Sequence, residues 1–324
     1  MKKLVCLPLV LVLVFGMFST AAVAGSYPEK PVTIVCPYSA GGGSDLMVRV
    51  IANIIKEKDL MPKPVVVVNK TGGSGQIGKV YVLQSPADGY NLTMADIGNA
   101  ISPILQPSIK WKTTDWAYLA NMVYEFNVLC VKAGTFKELP ALIEAAKKSP
   151  TPFTAGGTST TGGPDSVCTV KLNKDAGVKI AYSAMKGGGE VLANVLGGHI
   201  TMGWFNLSEA IGQLEAGKLV ALGVSSEKRL KSFPDIPTFK ELGYDVTYLQ
   251  QRGLCMRADT PPAVVDYWID VLQKVRATDE WQQGYLKMNH LEDGWMPGEE
   301  FKKWMIGQID EFQSTMKLLK EMEK

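Results

Sequence analysis

Four times along this 324-residue chain a β-type run ends in a cluster of glycines and hydroxyls, and a helix-type pattern starts directly behind it. This repeated unit limits the fold more than any other feature. Residues 31–37 (PVTIVCP) read as a strand and residues 38–44 (YSAGGGS) as a glycine-rich loop. Behind it Met47, Val50, Ile51, Ile54 and Ile55 recur at helical spacing, with Ser44 or Asp45 as the natural N-cap. Residues 65–69 (VVVVN) read as a buried parallel strand. Residues 70–75 (KTGGSG) form its loop, and a short helix from Gln76 places Ile77, Val80 and Tyr81 on one face. Asp88-Gly89-Tyr90 is a turn into a strand at 91–94. The third unit runs from Phe153 through TAGGTSTTGG to Pro164, which suits a first helical turn, and a helix at 165–175. The fourth has a strand at 178–184, the loop Lys186-Gly187-Gly188-Gly189 and a helix at 190–196. A strand at 200–205, a helix near 208–216 and a strand at 219–225 continue the alternation. The last 60 or so residues read as mainly helical, with Val264, Trp268, Val271, Leu272 and Val275 on one face. Strands alternating with helices imply parallel sheets covered on both faces.

The loops share one physical property. Each lies between the carboxyl end of a strand and a helix N-terminus, where backbone N–H groups are unpaired and carry partial positive charge. Glycine lets a ligand approach that backbone closely, and Ser or Thr adds donors. Such a site binds a small anion without a charged side chain. One such turn is often only tight chain geometry; four in one chain, two in each of two successive thirds, point to a shared cleft. None carries a nucleotide fingerprint: GxxxxGK followed by Ser or Thr is absent, as is GxGxxG with its later acid. Gly72 to Gln76 resembles a nucleophile elbow without its final glycine.

Charge and composition exclude other classes. Lys+Arg total 34 against 32 Asp+Glu, and both surplus positives are Lys2 and Lys3. The remainder is neutral and lacks the footprint of a nucleic-acid binder. The two histidines, His199 and His290, have no ligand-spaced partner, so neither a metal nor a cofactor is implied; His199 reads as a turn residue. A Ser–His–Asp site has only these two histidines to draw on, and no carboxylate pair stands out for hydrolysis.

The N-terminus reads as an export signal. Lys2 and Lys3 precede an uncharged apolar run at 4–18, and Ala22-Val23-Ala24 suits cleavage after residue 24. The run is short of the roughly 20 residues that a span needs. Cys6 lies within it. Cys36, Cys130, Cys168 and Cys255 sit in apolar runs and read as unpaired buried thiols, although export permits disulfides.

An ordered set of segments carries a family resemblance. Tyr27 to Val32 (YPEKPV), Pro37 to Asp45 (PYSAGGGSD), Asn69 to Gly78 (NKTGGSGQIG), Asp88-Gly89-Tyr90, Leu196 to Ile200 (LGGHI), Ala216 to Leu222 (AGKLVAL) and Pro234 to Thr238 (PDIPT) resemble the solute-binding receptors of tripartite tricarboxylate transporters, the Bug receptor family. The resemblance spans nearly all of the chain after the signal. It implies an α/β, two-lobed periplasmic binding protein of type II. Each lobe would be a mainly parallel sheet flanked by helices, with the ligand cleft between them. Domain one is expected at 27–126 plus 250–324, and domain two at 127–249.

The resemblance implies capture of a small organic acid and its delivery to membrane permease subunits, by a periplasmic monomer that is not an enzyme. A receptor that presents its ligand to a sensor kinase, or an exported hydrolase, are the alternatives. Carried residue by residue, the ligand site comprises Tyr38, Ser39, Gly42, Ser44 and Asp45 on the first loop and Thr71, Gly72 and Ser74 on the second. The second lobe would add Thr158, Ser159, Thr160, Lys186, Gly187, Gly188, Phe205 and Asn206. Phe205 departs from the usual Asp, which argues against ammonium recognition at that position. Arg252, in a segment where relatives carry an aromatic, offers a bidentate carboxylate contact. Asp45 would repel an anion directly, so it is expected to cap the helix or orient loop N–H groups.

Overall fold

The strands and helices that flank the four glycine loops fall close to where hydrophobic period and glycine punctuation direct them. The computed structural model describes residues 27–106, 108–158, 163–185 and 187–322. The export segment, Ser159, Thr160 and Lys186 lie outside them, as does the side chain of Ser74. One sheet takes β1 (Val32–Cys36), β2 (Val65–Asn69), β3 (Asn91–Ala95) and β4 (Trp116–Glu125). A second takes β5 (Asn127–Lys132), β6 (Phe153–Gly157), β7 (Ile180–Ala184), β8 (Met202–Asn206) and β9 (Leu219–Val224). The chain then returns to the first sheet for β10 (Gln250–Arg257) and β11 (Glu292–Pro297).

Helices α1 (Gly43–Glu57), α2 (Gln76–Gln84) and α3 (Gly98–Leu105) follow the first three strands. α4 (Leu139–Lys148) precedes β6, and α5 (Pro164–Ala176), α6 (Gly188–Gly197) and α7 (Leu207–Glu215) follow β6, β7 and β8. α8 (Pro262–Arg276), the turn α9 (Asp279–Trp281) and the long α10 (Gly298–Met322) close the chain.

Both sheets are mixed rather than mainly parallel. β1 runs parallel to β2 and β3, and β6 runs parallel to β7 and β8. These halves carry the glycine loops. β10 lies between β3 and β4, antiparallel to both, and β5 is antiparallel to β8 and β9. Parallel neighbours need a helical crossover. β4 and β5 are instead joined through Phe126 alone, and β10 enters from the other sheet, so both antiparallel halves lie at the crossings.

Period-2 alternation splits each sheet between two cores. Val32, Ile34 and Cys36 pack under α1 and α8, whereas Val35 faces the opposite cluster with Trp116 and Phe301. In the second sheet Leu129, Val131 and Trp204 face α4 and α5, and Val128, Cys130 and Phe205 face α6 and α7. Cys36, Cys130, Cys168 and Cys255 are buried and free. The expected α8 face is the buried one, residue for residue.

Several local expectations are overturned. Gly42, not Ser44 or Asp45, is the N-cap of α1, because the helix already begins at Gly43. β2 is an edge strand with Val66 exposed, because among the described residues its only strand neighbour is β1. On α2, Ile77, Val80 and Tyr81 face solvent while Gly78, Lys79 and Val82 are buried. The physical reason is close approach: a Cβ on Gly78 would fall 2.9 Å from the Lys70 carbonyl oxygen and from Pro37 Cβ. Only glycine permits that face to turn inward. Finally, the C-terminal stretch is interrupted by β11, which pairs antiparallel with β4.

Candidate ligand-binding site

The carboxyl ends of β1, β2 and β3 are tied into one rigid cradle. Asp45, on the first turn of α1, is buried and accepts from Gly41 N–H at 2.9 Å, Arg49 Nε at 2.9 Å and Asn69 Nδ2 at 2.8 Å. Asn69 Nδ2 also donates to the Tyr38 carbonyl at 3.0 Å, which fixes the first loop to the end of β2. Asp45 therefore acts on the loop backbone. The Arg49 hydrogen bond, then those of Gly41 and Asn69, hold its pKa at about 2. A depressed carboxyl pKa adds stability above the unfolded value, and that stability is lost as pH falls through the folded value. The stability gap between the parent and Asp45→Asn should thus be full at neutral pH and close between about pH 4 and pH 2. Urea unfolding across that range checks it, and a constant gap would contradict the assigned ion pair.

Asp96, at the end of β3, is a second hub. It accepts from Tyr38 Oη at 2.7 Å, Lys79 Nζ at 2.6 Å and Gly98 N–H at 2.8 Å. Lys79 is buried. The second loop packs on the first: a Cβ on Gly75 would fall 3.2 Å from the Tyr38 ring. Gly72, Gly73 and Gly75 all have positive φ (122°, 56° and 90°), a path that other residues follow only with strain. With this frame fixed, the N–H groups of Gly43, Ser44 and Asp45 at the start of α1 meet no acceptor among the described residues.

Arg252 stands against that helix end. A Cβ on Gly43 would lie 2.7 Å from its Nη1 and 2.8 Å from its Nη2. Arg252 is the third residue of β10, and Glu125 closes the adjacent β4, so both crossings contribute to this point. Their side chains form an ion pair, 8% and 2% exposed. Burial works to lower the Arg252 pKa, but Glu125, with Tyr285 and Glu209, holds it above its ordinary value. Glu125 Oε1 also accepts from Ser208 Oγ of α7 at 3.0 Å, so the pair links both sheets.

The second sheet offers its own helix ends. Thr158 N–H donates to Asp165 Oδ2 at 2.7 Å, and Asn127 Nδ2 donates to Asp165 Oδ1. Met185 N–H reaches the Gly157 carbonyl at 2.8 Å, joining the ends of β6 and β7. At α6, a Cβ on Gly188 would fall 2.6 Å from Glu209 Oε2. Glu209 is an exposed residue whose carboxylate end is nonetheless turned against protein at Gly188. The protein around its carboxylate, and then Glu125, raise its pKa, which Arg252 opposes. Arg252 and Glu209 thus join the first loop to the fourth electrostatically.

The expected residues divide accordingly. Tyr38, Ser39, Gly42, Ser44 and Asp45 lie on the loop and first turn that open α1, with Arg252 against Gly43, and Thr71 and Gly72 lie on the second loop, which meets Tyr38 through Gly75. Thr158, Gly187, Gly188 and Asn206 lie at the ends of β6, β7 and β8. Phe205 is buried in the apolar core with Val128 and Val191. Lys79, Asp96, Glu125, Asn127 and Glu209 escaped the sequence reading. Asp96 had a signal, since it directly follows a strand end; the others have none that spacing reveals.

Comparison with known proteins fits this architecture. The profile of the tripartite tricarboxylate transporter family receptors (TctC) matches residues 47–318. Protein BugT of Bordetella pertussis is 31% identical over 244 residues, 72% of this chain and 74% of that protein. A TctC solute-binding protein from Polaromonas, solved without ligand, superposes with a TM-score of 0.73 at 26% identity, covering 90% of this chain and 99% of that one. An R. palustris protein solved with adipate gives a TM-score of 0.80 at 24% identity, over 90% of this chain and 98% of that one. With a profile match running from the first helix to the last, this chain belongs to the tripartite tricarboxylate transporter receptor family.

Proposed function

We propose that the protein captures a small organic carboxylate between its lobes and delivers it to the membrane permease subunits of a tripartite tricarboxylate-type transporter. One observation carries this reading: the guanidinium of Arg252 faces the N-terminus of α1. A helix N-terminus carries about half a positive charge and repels a cation. Two positive poles set together, only partly offset by Glu125, are relieved by an anion placed between them. Free backbone N–H groups and a guanidinium are the donors that a carboxylate accepts from.

The remaining roles follow. Tyr38, Ser39, Gly42, Ser44, Thr71, Gly72 and Ser74 shape the anion pole. Asp45 orients it, and Thr158, Gly187, Gly188 and Asn206 would form the opposing wall. Lobes at 27–126 with 250–324 and at 127–249 would close about Phe126 and the segment before β10. Residues 1–24 would direct export to the periplasm, and the mature protein would act there as a monomer. Among the described residues no helix is long and apolar enough to cross a membrane.

A thermal-shift panel of organic acids, followed by calorimetry, tests the reading. At a hundred times its Kd, a ligand should add about 2.7 kcal/mol of stability and be recovered unchanged. A panel in which no carboxylate stabilises the protein, or in which the best one is chemically converted, would overturn it.

A further inference from the structure

The two ends of this cleft differ in chemistry. The first-lobe end presents donors, namely the α1 N–H groups and Arg252. The second-lobe end presents acceptors. The carboxylate of Glu209 stands against Gly188 at the start of α6, where a second anion would otherwise be welcome. A ligand carboxylate arriving there would meet Glu209 in its place.

Asn127 supplies an independent sign. It is the first residue of β5, directly opposite Asn206, and 1% exposed. Its amide nitrogen is turned to Asp165, to whose Oδ1 it donates. Asn127 Oδ1 is thereby left buried with no donor among the described residues. Buried acceptors without a donor are uncommon and costly, and a donor on a bound molecule removes that cost. The raised pKa of Glu209, due first to its surroundings and then to Glu125, agrees with a site already holding enough negative charge.

We infer that Glu209 and Asn127 select the far end of the ligand: a carboxylate whose distal group is a hydrogen-bond donor, either ammonium or primary amide, and not a second carboxylate. The inference rests on the carboxylate reading above, which fixes the near end. It also explains how a chain with Phe205 in place of the usual Asp can still present an acid, from one helical turn further along.

Matched short straight-chain acids, differing only in a distal methyl, carboxylate, primary amide or ammonium, test this by calorimetry. For the best chain length, the donor-bearing acids should bind at least about tenfold tighter than the dicarboxylate and the methyl compound. Glu209→Gln retains an oxygen for the Asn206 N–H at the start of α7 while removing the charge. In that variant the ammonium acid should lose about tenfold, the amide less, and the dicarboxylate should gain. A parent protein that binds the dicarboxylate tightest would overturn the inference, as would a ranking unmoved by Glu209→Gln. If no acid of any set binds, the carboxylate reading itself falls, and this inference with it.

Discussion

Replacing Arg252 with Met should lower the unfolding free energy by about 3–5 kcal/mol, because it strands Glu125 as a buried charge without its partner. Glu125 is only 2% exposed at its side chain, and the Ser208 hydroxyl that remains offers one neutral hydrogen bond. The variant should also lose carboxylate-induced stabilisation. Stability and binding separate in the double variant Arg252→Met, Glu125→Met. Exchanging a buried ion pair for apolar side chains of similar size is often neutral or stabilising. The double variant should therefore unfold within about 1 kcal/mol of the parent, or later, yet still fail to bind. Urea midpoints and calorimetry on the three proteins decide the matter. An unchanged midpoint for Arg252→Met would mean that Glu125 reaches water. Full affinity in the double variant would remove Arg252 from the site.

The pair also marks how far a linear reading reaches. The glycine loops were legible because positive φ at Gly72 and Gly75 excludes most other residues, so geometry leaves a mark on composition. The α8 face was legible because an amphipathic helix writes its burial at a fixed period. β4 and β5 were not, since only Phe126 separates them and 116–132 has no glycine or proline to announce a turn. The face of α2 was misread because apolar periodicity ignores close approach: Gly78 decides the orientation by what it lacks. Charges were the least legible. Arg252, Glu125 and Glu209 come from three separate elements, and only strand order and helix entry bring them together. A lone Lys79 among Ile77, Val80 and Tyr81 reads as the solvated residue of an apolar helix, whereas the fold makes it the buried one.

That inversion yields the second large effect. Asp96→Asn should cost about 3–5 kcal/mol, because Lys79 would keep a buried ammonium with no counter-charge. The Lys79 side chain is 1% exposed and that of Asp96 is 15% exposed, so solvent can screen the acid only slightly and the base hardly at all. The asparagine oxygen could keep the Lys79 and Gly98 hydrogen bonds, which share Oδ1, and turn its amide N–H groups to Tyr38 Oη, which can accept; what is lost is the charge opposite Lys79. Tyr38→Phe gives the calibration. It removes one hydrogen bond to a charged acceptor and should cost about 1.5–3 kcal/mol, leaving the ion pair in place. Asp96→Asn should exceed that cost, and adding Lys79→Met should restore most of the loss. The ligand readout distinguishes support from mere stability. Asp96 holds the ends of β1, α2 and β3 to one point, so the preorganised donors of α1 depend on it. The restored double variant should therefore fold well but bind its carboxylate more weakly than the parent. If Asp96→Asn unfolds at the parent midpoint, the ion pair is not what fixes the two loops, and the frame beneath the anion pole must be assigned to the Asp45 network alone.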